Sequence, residues 1–282
     1  MFFSPLRYPG GKNKLAKYFQ KVCYQNGIEN TYVEPYAGGA SVALSLLFTD
    51  SISKIVINDI DRSIYSFWYC VLNKTEQLNR MIFDTSVNLD NWIKQKFVQK
   101  TKGRQNLLNL GFSTLFINRT NRSGILNAGV IGGRDQSGKW KIDARFNKRD
   151  IIDRIERIAK NKSRIMLYNM DAVELIKKIN TEPNGDVLFY LDPPYYIKGK
   201  KLYLNYYNHD DHLNVADQIK KIKKNHWIVT YDNVKEIKEL YKPFRYTTYN
   251  LNYSISKAST GKELMFFSDS IELSKDTRTV SI

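Results

Sequence analysis

Leu188-Phe189-Tyr190-Leu191-Asp192-Pro193-Pro194-Tyr195 is the stretch on which the reading of this chain turns. Its apolar part, starting at Val187, shows no polar alternation, as expected of a strand buried on both faces in a parallel sheet. The run then meets an acid and two prolines, which fix φ, donate no N–H and end the strand. Open α/β sheets bind ligands beyond the carboxyl ends of their strands. A stiff loop there, held by Pro193 and Pro194, can offer the Asp192 carboxylate and the Pro193 carbonyl to both hydrogens of an amino group. Tyr195 adds an aromatic face on which a base can stack.

The rhythm on either side agrees. Lys12–Tyr24 reads as a helix, Thr31–Glu34 as a strand, Ala40–Phe48 as a helix, Lys54–Asn58 as a strand and Ile60–Leu72 as a helix. After residue 150, the stretches Ile151–Ala159, Asp171–Ile179 and Asp211–Lys224 read as helices. Arg164–Tyr168, Val187–Asp192 and His226–Thr230 read as strands, and Phe244–Tyr253 with Glu263–Ser268 as a terminal hairpin. Strands alternating with helices predict a parallel sheet covered by helices. Between the halves the rhythm stops. Asn73–Phe116 looks mainly helical, and Asn118–Arg149 is a glycine-rich, basic stretch too long for an idle loop. The expected organisation is an α/β domain formed by residues 1–61 and 150–282, split by an insertion at 62–149.

The 282 residues carry 44 Lys+Arg against 28 Asp+Glu, a net charge of +16. Such a field attracts polyanions, nucleic acid first and an anionic membrane surface second. Cys23 and Cys70 form no C-x-x-C, and His209, His212 and His226 are scattered, so neither a disulfide scaffold nor a metal site is expected. The start resembles no signal peptide and no apolar run reaches membrane-spanning length, so a cytoplasmic protein is expected.

Three further segments sit where an α/β sheet presents ligands. Glu34-Pro35-Tyr36-Ala37-Gly38-Gly39-Ala40 ends a strand in an acid and turns through glycines into a helix, a turn a plain strand-to-helix connection also explains. Asn58-Asp59-Ile60-Asp61 ends the next strand. Asp59 there suits a ribose diol, whereas Asp61 reads as the cap of the following helix. Arg7-Tyr8-Pro9-Gly10-Gly11-Lys12 precedes the first helix and suits an anion or carboxylate contact, although it lacks the glycine spacing of a Walker A loop.

In this order the four segments resemble the Dam-type N6-adenine DNA methyltransferases. Leu115–Arg119 and Asn121–Gly124 resemble the start of that family's DNA-reading region. The resemblance implies a Rossmann-like S-adenosylmethionine-dependent methyltransferase sheet with a mostly helical inserted target-recognition domain. It implies transfer of a methyl group to N6 of an adenine flipped out of double-stranded DNA, with no metal. It places Tyr8, Gly10, Gly11, Lys12, Glu34, Gly38, Asp59, Asp171 and Asp192 at the cofactor, and Asp192, Pro193, Pro194 and Tyr195 at the target amine. Arg119, Asn121, Arg122, Arg134, Lys139, Lys141 and Arg145 are the candidate DNA contacts. A monomer is expected, in a bacterium or its phage, with a cognate restriction endonuclease as candidate partner. Tyr8 stands where relatives often carry tryptophan, and residues 124–146 look long for the family. The competing readings are ribosomal RNA adenine methylation, N4-cytosine methylation, protein-glutamine methylation, and a non-catalytic DNA-binding module on the same scaffold.

Overall fold

The computed structural model describes residues 2–7, 12–181, 186–197, 207–253, 259–274, 277 and 280. Seven strands form one sheet: β1 (Thr31–Glu34), β2 (Lys54–Asn58), β3 (Ile165–Tyr168), β4 (Val187–Leu191), β5 (His226–Asp232), β6 (Tyr246–Tyr253) and β7 (Ser259–Phe267). Their order is β3-β2-β1-β4-β5-β7-β6. The first five are parallel, and β7 runs antiparallel between β5 and β6. This is a doubly wound, Rossmann-like sheet with an antiparallel edge. Its strand order reverses between β1 and β4, which is where such sheets open a crevice at their carboxyl ends.

Burial follows the sequence pattern. All five residues of β4 are buried, as a central strand covered on both faces requires. β1, β2 and β5 expose little more than their ends. The expected bounds of β1 and β2 match the observed strands. The hairpin of β6 and β7 also forms, its register pairing Tyr249 with Glu263. A six-residue helix at Lys235–Leu240 was not foreseen, being too short to show a helical period.

Two compact units emerge. One holds the sheet and comprises Phe2, Lys12–Ile60 and Arg164–Ile282. Its helices are α1 (Ala16–Asn26), α2 (Ser41–Phe48), α8 (Ala172–Asn180), α9 (His209–Lys220) and α10 (Lys235–Leu240), numbered with those of the other unit in chain order. Helix α2 is apolar nearly all round and buried from Val42 to Leu47, as a helix enclosed by a core must be.

The other unit comprises Met1, Phe3–Gly11 and Asp61–Ser163. It contains α3 (Arg62–Asn73), α4 (Thr75–Asp84), α5 (Leu89–Lys100), α6 (Leu107–Thr120) and α7 (Lys148–Lys160). Helix α6 is its axis, buried from Leu110 to Thr120. Helix α7, which the sequence rhythm assigns to the sheet domain from residue 150, packs in the structure within this helical unit. Asp61 caps α3 through a hydrogen bond from Ser63 N–H at 2.8 Å, the role expected of it. No helix among the described residues is long and apolar enough to cross a membrane.

Candidate functional site

The carboxyl edge of the sheet gathers the acids singled out in the sequence. Asp192 leaves β4 with its side chain 27% exposed. Its Oδ1 accepts a hydrogen bond from Thr230 Oγ1 at 2.7 Å and faces Lys12 Nζ at 3.3 Å. Both contacts fall on one oxygen. Burial, with the nearby Glu263 charge, holds the Asp192 carboxyl above the usual carboxylate range against the pull of Lys12.

Pro193 and Pro194 donate nothing, so the loop is anchored by the amides that follow. Tyr196 N–H and Ile197 N–H donate to the two oxygens of Asp232, at 2.9 and 3.1 Å. Asp232 ends β5 and belongs to no motif in the sequence. Tyr195 is 4% exposed and gives its hydroxyl to Glu263 at 2.5 Å. The expected stacking platform is therefore a wall of the site, with its hydroxyl tied down.

Lys12, expected at the cofactor, is buried between two acids. Its Nζ lies 2.6 Å from Glu263 Oε2 and 3.3 Å from Asp192 Oδ1. Burial works against the ammonium, but the two carboxylates hold its pKa well above the ordinary lysine value. One lysine against two acids leaves this cluster with a net negative charge. Glu263 is fully buried on β7 and also accepts from Tyr249 Oη at 2.5 Å. The sequence reading missed it, because an acid within a hairpin strand carries no local sign of what it faces.

On the other side of the switch point, β1 runs through Glu34 into the glycine turn. Gly38 adopts φ 45° and Ala40 φ 47°. The left-handed region favours glycine and costs alanine roughly 1–2 kcal/mol, so the turn's geometry is held against local preference. What holds it is Asp59, whose Oδ2 accepts the Gly38 N–H at 3.0 Å. Glu34, expected at the cofactor, turns inward instead. Its Oε1 accepts from Tyr32 Oη and from Ala43 N–H at the start of α2. Burial raises its pKa from 4.5 to about 8, so it is largely protonated at neutral pH and acts on the turn. Asp171 caps α8 with Oδ1, at 2.8 Å from Val173 N–H, and is exposed. Tyr8, Gly10 and Gly11 lie outside the described residues.

In the helical unit the basic candidates divide. Arg119 and Asn121 are internal. Arg119 is 8% exposed, donates to the carbonyls of Pro5 and Arg145, and is pulled by burial down to about 10. Asn121 is fully buried, accepting from Trp92 Nε1 and donating to the carbonyls of Ile125 and Leu126. Side chains so enclosed brace the loop and do not reach a base edge, which corrects their placement among the DNA contacts. Asn118 does similar work, gripping both backbone groups of Arg7 at 2.7 Å. Gly124 lies beneath that strap at φ 75°, where a Cβ would come within 2.3 Å of the Arg7 carbonyl.

Arg122, Arg134, Lys139, Lys141 and Arg145 are exposed. Arg122 and Arg134 line a cavity of about 500 Å³ together with Trp92, Lys96 and Lys100 of α5, and no acid lines it. The α5 cations were not foreseen, because their convergence with the loop is tertiary. Trp140 is 60% exposed, with Lys139 and Arg145 against its ring at 5.8 and 5.9 Å. Among the described residues no group of three His, Cys, Asp or Glu could hold a metal ion.

The family described as D12 class N6 adenine-specific DNA methyltransferase matches residues 8–255. The type II methyltransferase M.MjaIII of Methanocaldococcus jannaschii is 22% identical over 238 residues, 78% of this chain and 80% of that protein. Among solved structures, an RNA methyltransferase of Pyrococcus horikoshii aligns over 90% of this chain and 82% of its own, at 9% identity and TM-score 0.42. An rRNA methyltransferase of Streptomyces viridochromogenes aligns over 93% and 86%, at 9% identity and TM-score 0.38.

Proposed function

The chain belongs to the D12 class of N6 adenine-specific DNA methyltransferases, and from that premise we propose that Asp192 is the group that receives the target amine. Membership settles the reaction as S-adenosylmethionine-dependent methylation of adenine N6 in DNA, in place of RNA, N4-cytosine or protein targets. The observation that carries the assignment is the placement of Asp192 at the carboxyl end of β4, with Thr230 and Lys12 both engaging Oδ1, so that Oδ2 serves the amine.

The adenine is extrahelical when it reacts, because N6 of a stacked, paired base cannot approach a buried carboxylate. Asp192 Oδ2 and the Pro193 carbonyl accept the two N6 hydrogens and aim the nitrogen lone pair. As nitrogen gains the methyl group and a positive charge, one of those protons passes to Asp192. Its raised pKa suits it to receive that proton. Positioning supplies much of the rate, since the pair that must meet is held in one geometry.

The residues present fit a sulfonium donor. Asp59 and the Gly38 turn stand at the switch point for a ribose and its adjoining chain, and the negative cluster of Lys12, Asp192 and Glu263 suits a cation. When bound, S-adenosylmethionine supplies the electrophilic methyl group. Asp59, Gly38 and Asp171 would hold it.

The helical unit is the target-recognition part. Arg122 and Arg134, with Lys96 and Lys100, hold backbone phosphate, and Lys139, Lys141, Arg145 and Trp140 form a second contact. Cations exposed around a cavity bind polyanions by releasing counterions. The enzyme acts as a monomer in the cytoplasm, and the type II character of M.MjaIII points to a cognate endonuclease. Tritiated methyl transfer to unmethylated DNA, followed by nucleoside chromatography, tests the assignment. Asp192→Asn is expected to leave no label in N6-methyladenine while still binding DNA; full labelling by that variant would overturn the role given to Asp192.

A further inference from the structure

We infer that Glu263 is a positioning residue of the reaction centre: it draws the Lys12 ammonium away from Asp192 and ties down Tyr195, so that Asp192 keeps an un-neutralised carboxylate for the amine. This rests on the reading of Asp192 given above.

Glu263 stands in an otherwise apolar run, since Leu264, Met265, Phe266 and Phe267 after it are all buried. A carboxylate in such a place costs several kcal/mol unless paired, and a well-packed apolar residue would serve stability as well or better. The partners of Glu263 include Lys12 Nζ at 2.6 Å, Tyr249 Oη at 2.5 Å and Tyr195 Oη at 2.5 Å. The strand register adds a second observation. Glu263 pairs with Asp232 across β5 and β7. Neighbouring acids on one rung thus hold consecutive residues of one loop, Glu263 the side chain of Tyr195 and Asp232 the amides of Tyr196 and Ile197.

The distances say which acid owns the lysine. Lys12 is 2.6 Å from Glu263 and 3.3 Å from Asp192. Burial opposes ionisation of Glu263, but Lys12 and the tyrosine hydroxyls hold its pKa below the ordinary value, so its charge persists. Remove that charge and Asp192 is the anion left to pair with Lys12 among the described residues. An ammonium moved onto Asp192 would lower its basicity and compete with the adenine amine for its oxygens. The other described groups around this cluster do not substitute for Glu263. Tyr190 on β4, Tyr195 on the loop and Tyr249 on β6 are neutral donors, Thr230 on β5 is uncharged, and Glu34 on β1 is raised to about 8.

The test is the pH–rate profile of Glu263→Gln. Losing the Glu263 charge and gaining Lys12 both lower the Asp192 pKa. The acid limb of kcat is therefore expected to move to lower pH by about one unit or more, while plateau kcat falls roughly tenfold or more. KM for DNA should stay within about threefold, because the groups that bind phosphate are elsewhere. A fall in kcat with an unmoved acid limb, or a normal kcat, overturns the inference. Asp192→Asn is assayed alongside. If that variant keeps its activity, the reading of Asp192 fails; if it is dead and the limb of Glu263→Gln does not move, only the role of Glu263 fails. Should Glu263→Gln show no cooperative melt, Tyr249→Phe decides. It leaves the Glu263 charge in place with one donor fewer, so Glu263 draws Lys12 closer and the acid limb should rise; an unchanged or lowered limb overturns the inference.

Discussion

The reaction centre and the basic cavity of the helical unit use charge in opposite ways. Around Asp192, charged groups are buried or half-buried and answer one another within 3.3 Å. Around the cavity, Lys100, Arg122 and Arg134 are exposed and the lining has no acid. Low dielectric makes a few well-placed charges strong, which a proton-accepting site needs. Solvent access lets cations exchange counterions for phosphate, which a reader of duplex DNA needs. The same residue type thus meets different surroundings in the two places: Lys12 is buried between two carboxylates, whereas Lys100 is exposed at a cavity without an acid.

The largest effect that could break this contrast is at the centre. Asp192→Asn should lower kcat by about 10²–10⁴-fold with DNA affinity nearly unchanged, read by single-turnover methylation beside fluorescence anisotropy. A comparable drop in DNA affinity would mean that the two regions are not separate in function.

Glu34 sharpens the buried half. Its pKa is 4.5 when exposed and about 8 in the fold. The native state therefore keeps a proton that the unfolded chain gives up at lower pH. Its contribution is fully present below 4.5 and is lost as pH rises towards 8, at roughly 1.4 kcal/mol per pH unit. Glu34→Gln keeps the acceptor for Ala43 and removes the titration. Urea unfolding of the two proteins at several pH values in that window should show the variant losing this slope; parallel curves would refute the assignment.

Asn121 probes the boundary between the two kinds of region. Its three side-chain hydrogen bonds are internal, so Asn121→Ala should cost about 1–3 kcal/mol of stability, chiefly by taking the acceptor from the buried Trp92 N–H, since the Ile125 and Leu126 carbonyls keep Ala128 N–H and Lys96 Nζ. The melting temperature should fall, while the salt slope of DNA binding stays put. A smaller effect is expected at single exposed cations. Arg122→Gln or Arg134→Gln should weaken DNA binding by roughly three- to tenfold and reduce the slope of log affinity against log salt by about 0.9 for each phosphate left without its cation. An unchanged slope in both variants would remove the cavity from the DNA-binding surface.

How far the site was legible depended on whether its signal was local. Val187–Leu191 announced a doubly covered strand, and the two prolines announced its end, because both are properties of adjacent residues. The cap role of Asp61 was legible for the same reason. Arg119 and Asn121 looked like DNA contacts because they sit in a basic stretch, and nothing nearby in the chain says that Pro5, Trp92 and Arg145 enclose them.

The sequence by itself determined the alternating architecture, the residues at the strand ends and the chemistry they suit, since strand periods, proline constraints and strand-end acids are written in short stretches. Tertiary structure alone decided which acid holds Lys12, which oxygen of Asp192 meets Thr230 and Lys12, and which basic residues face water. Lys12 and Glu263 are 251 positions apart and 2.6 Å apart. The energy of a charge depends on burial and on the partner it meets, and the fold sets both.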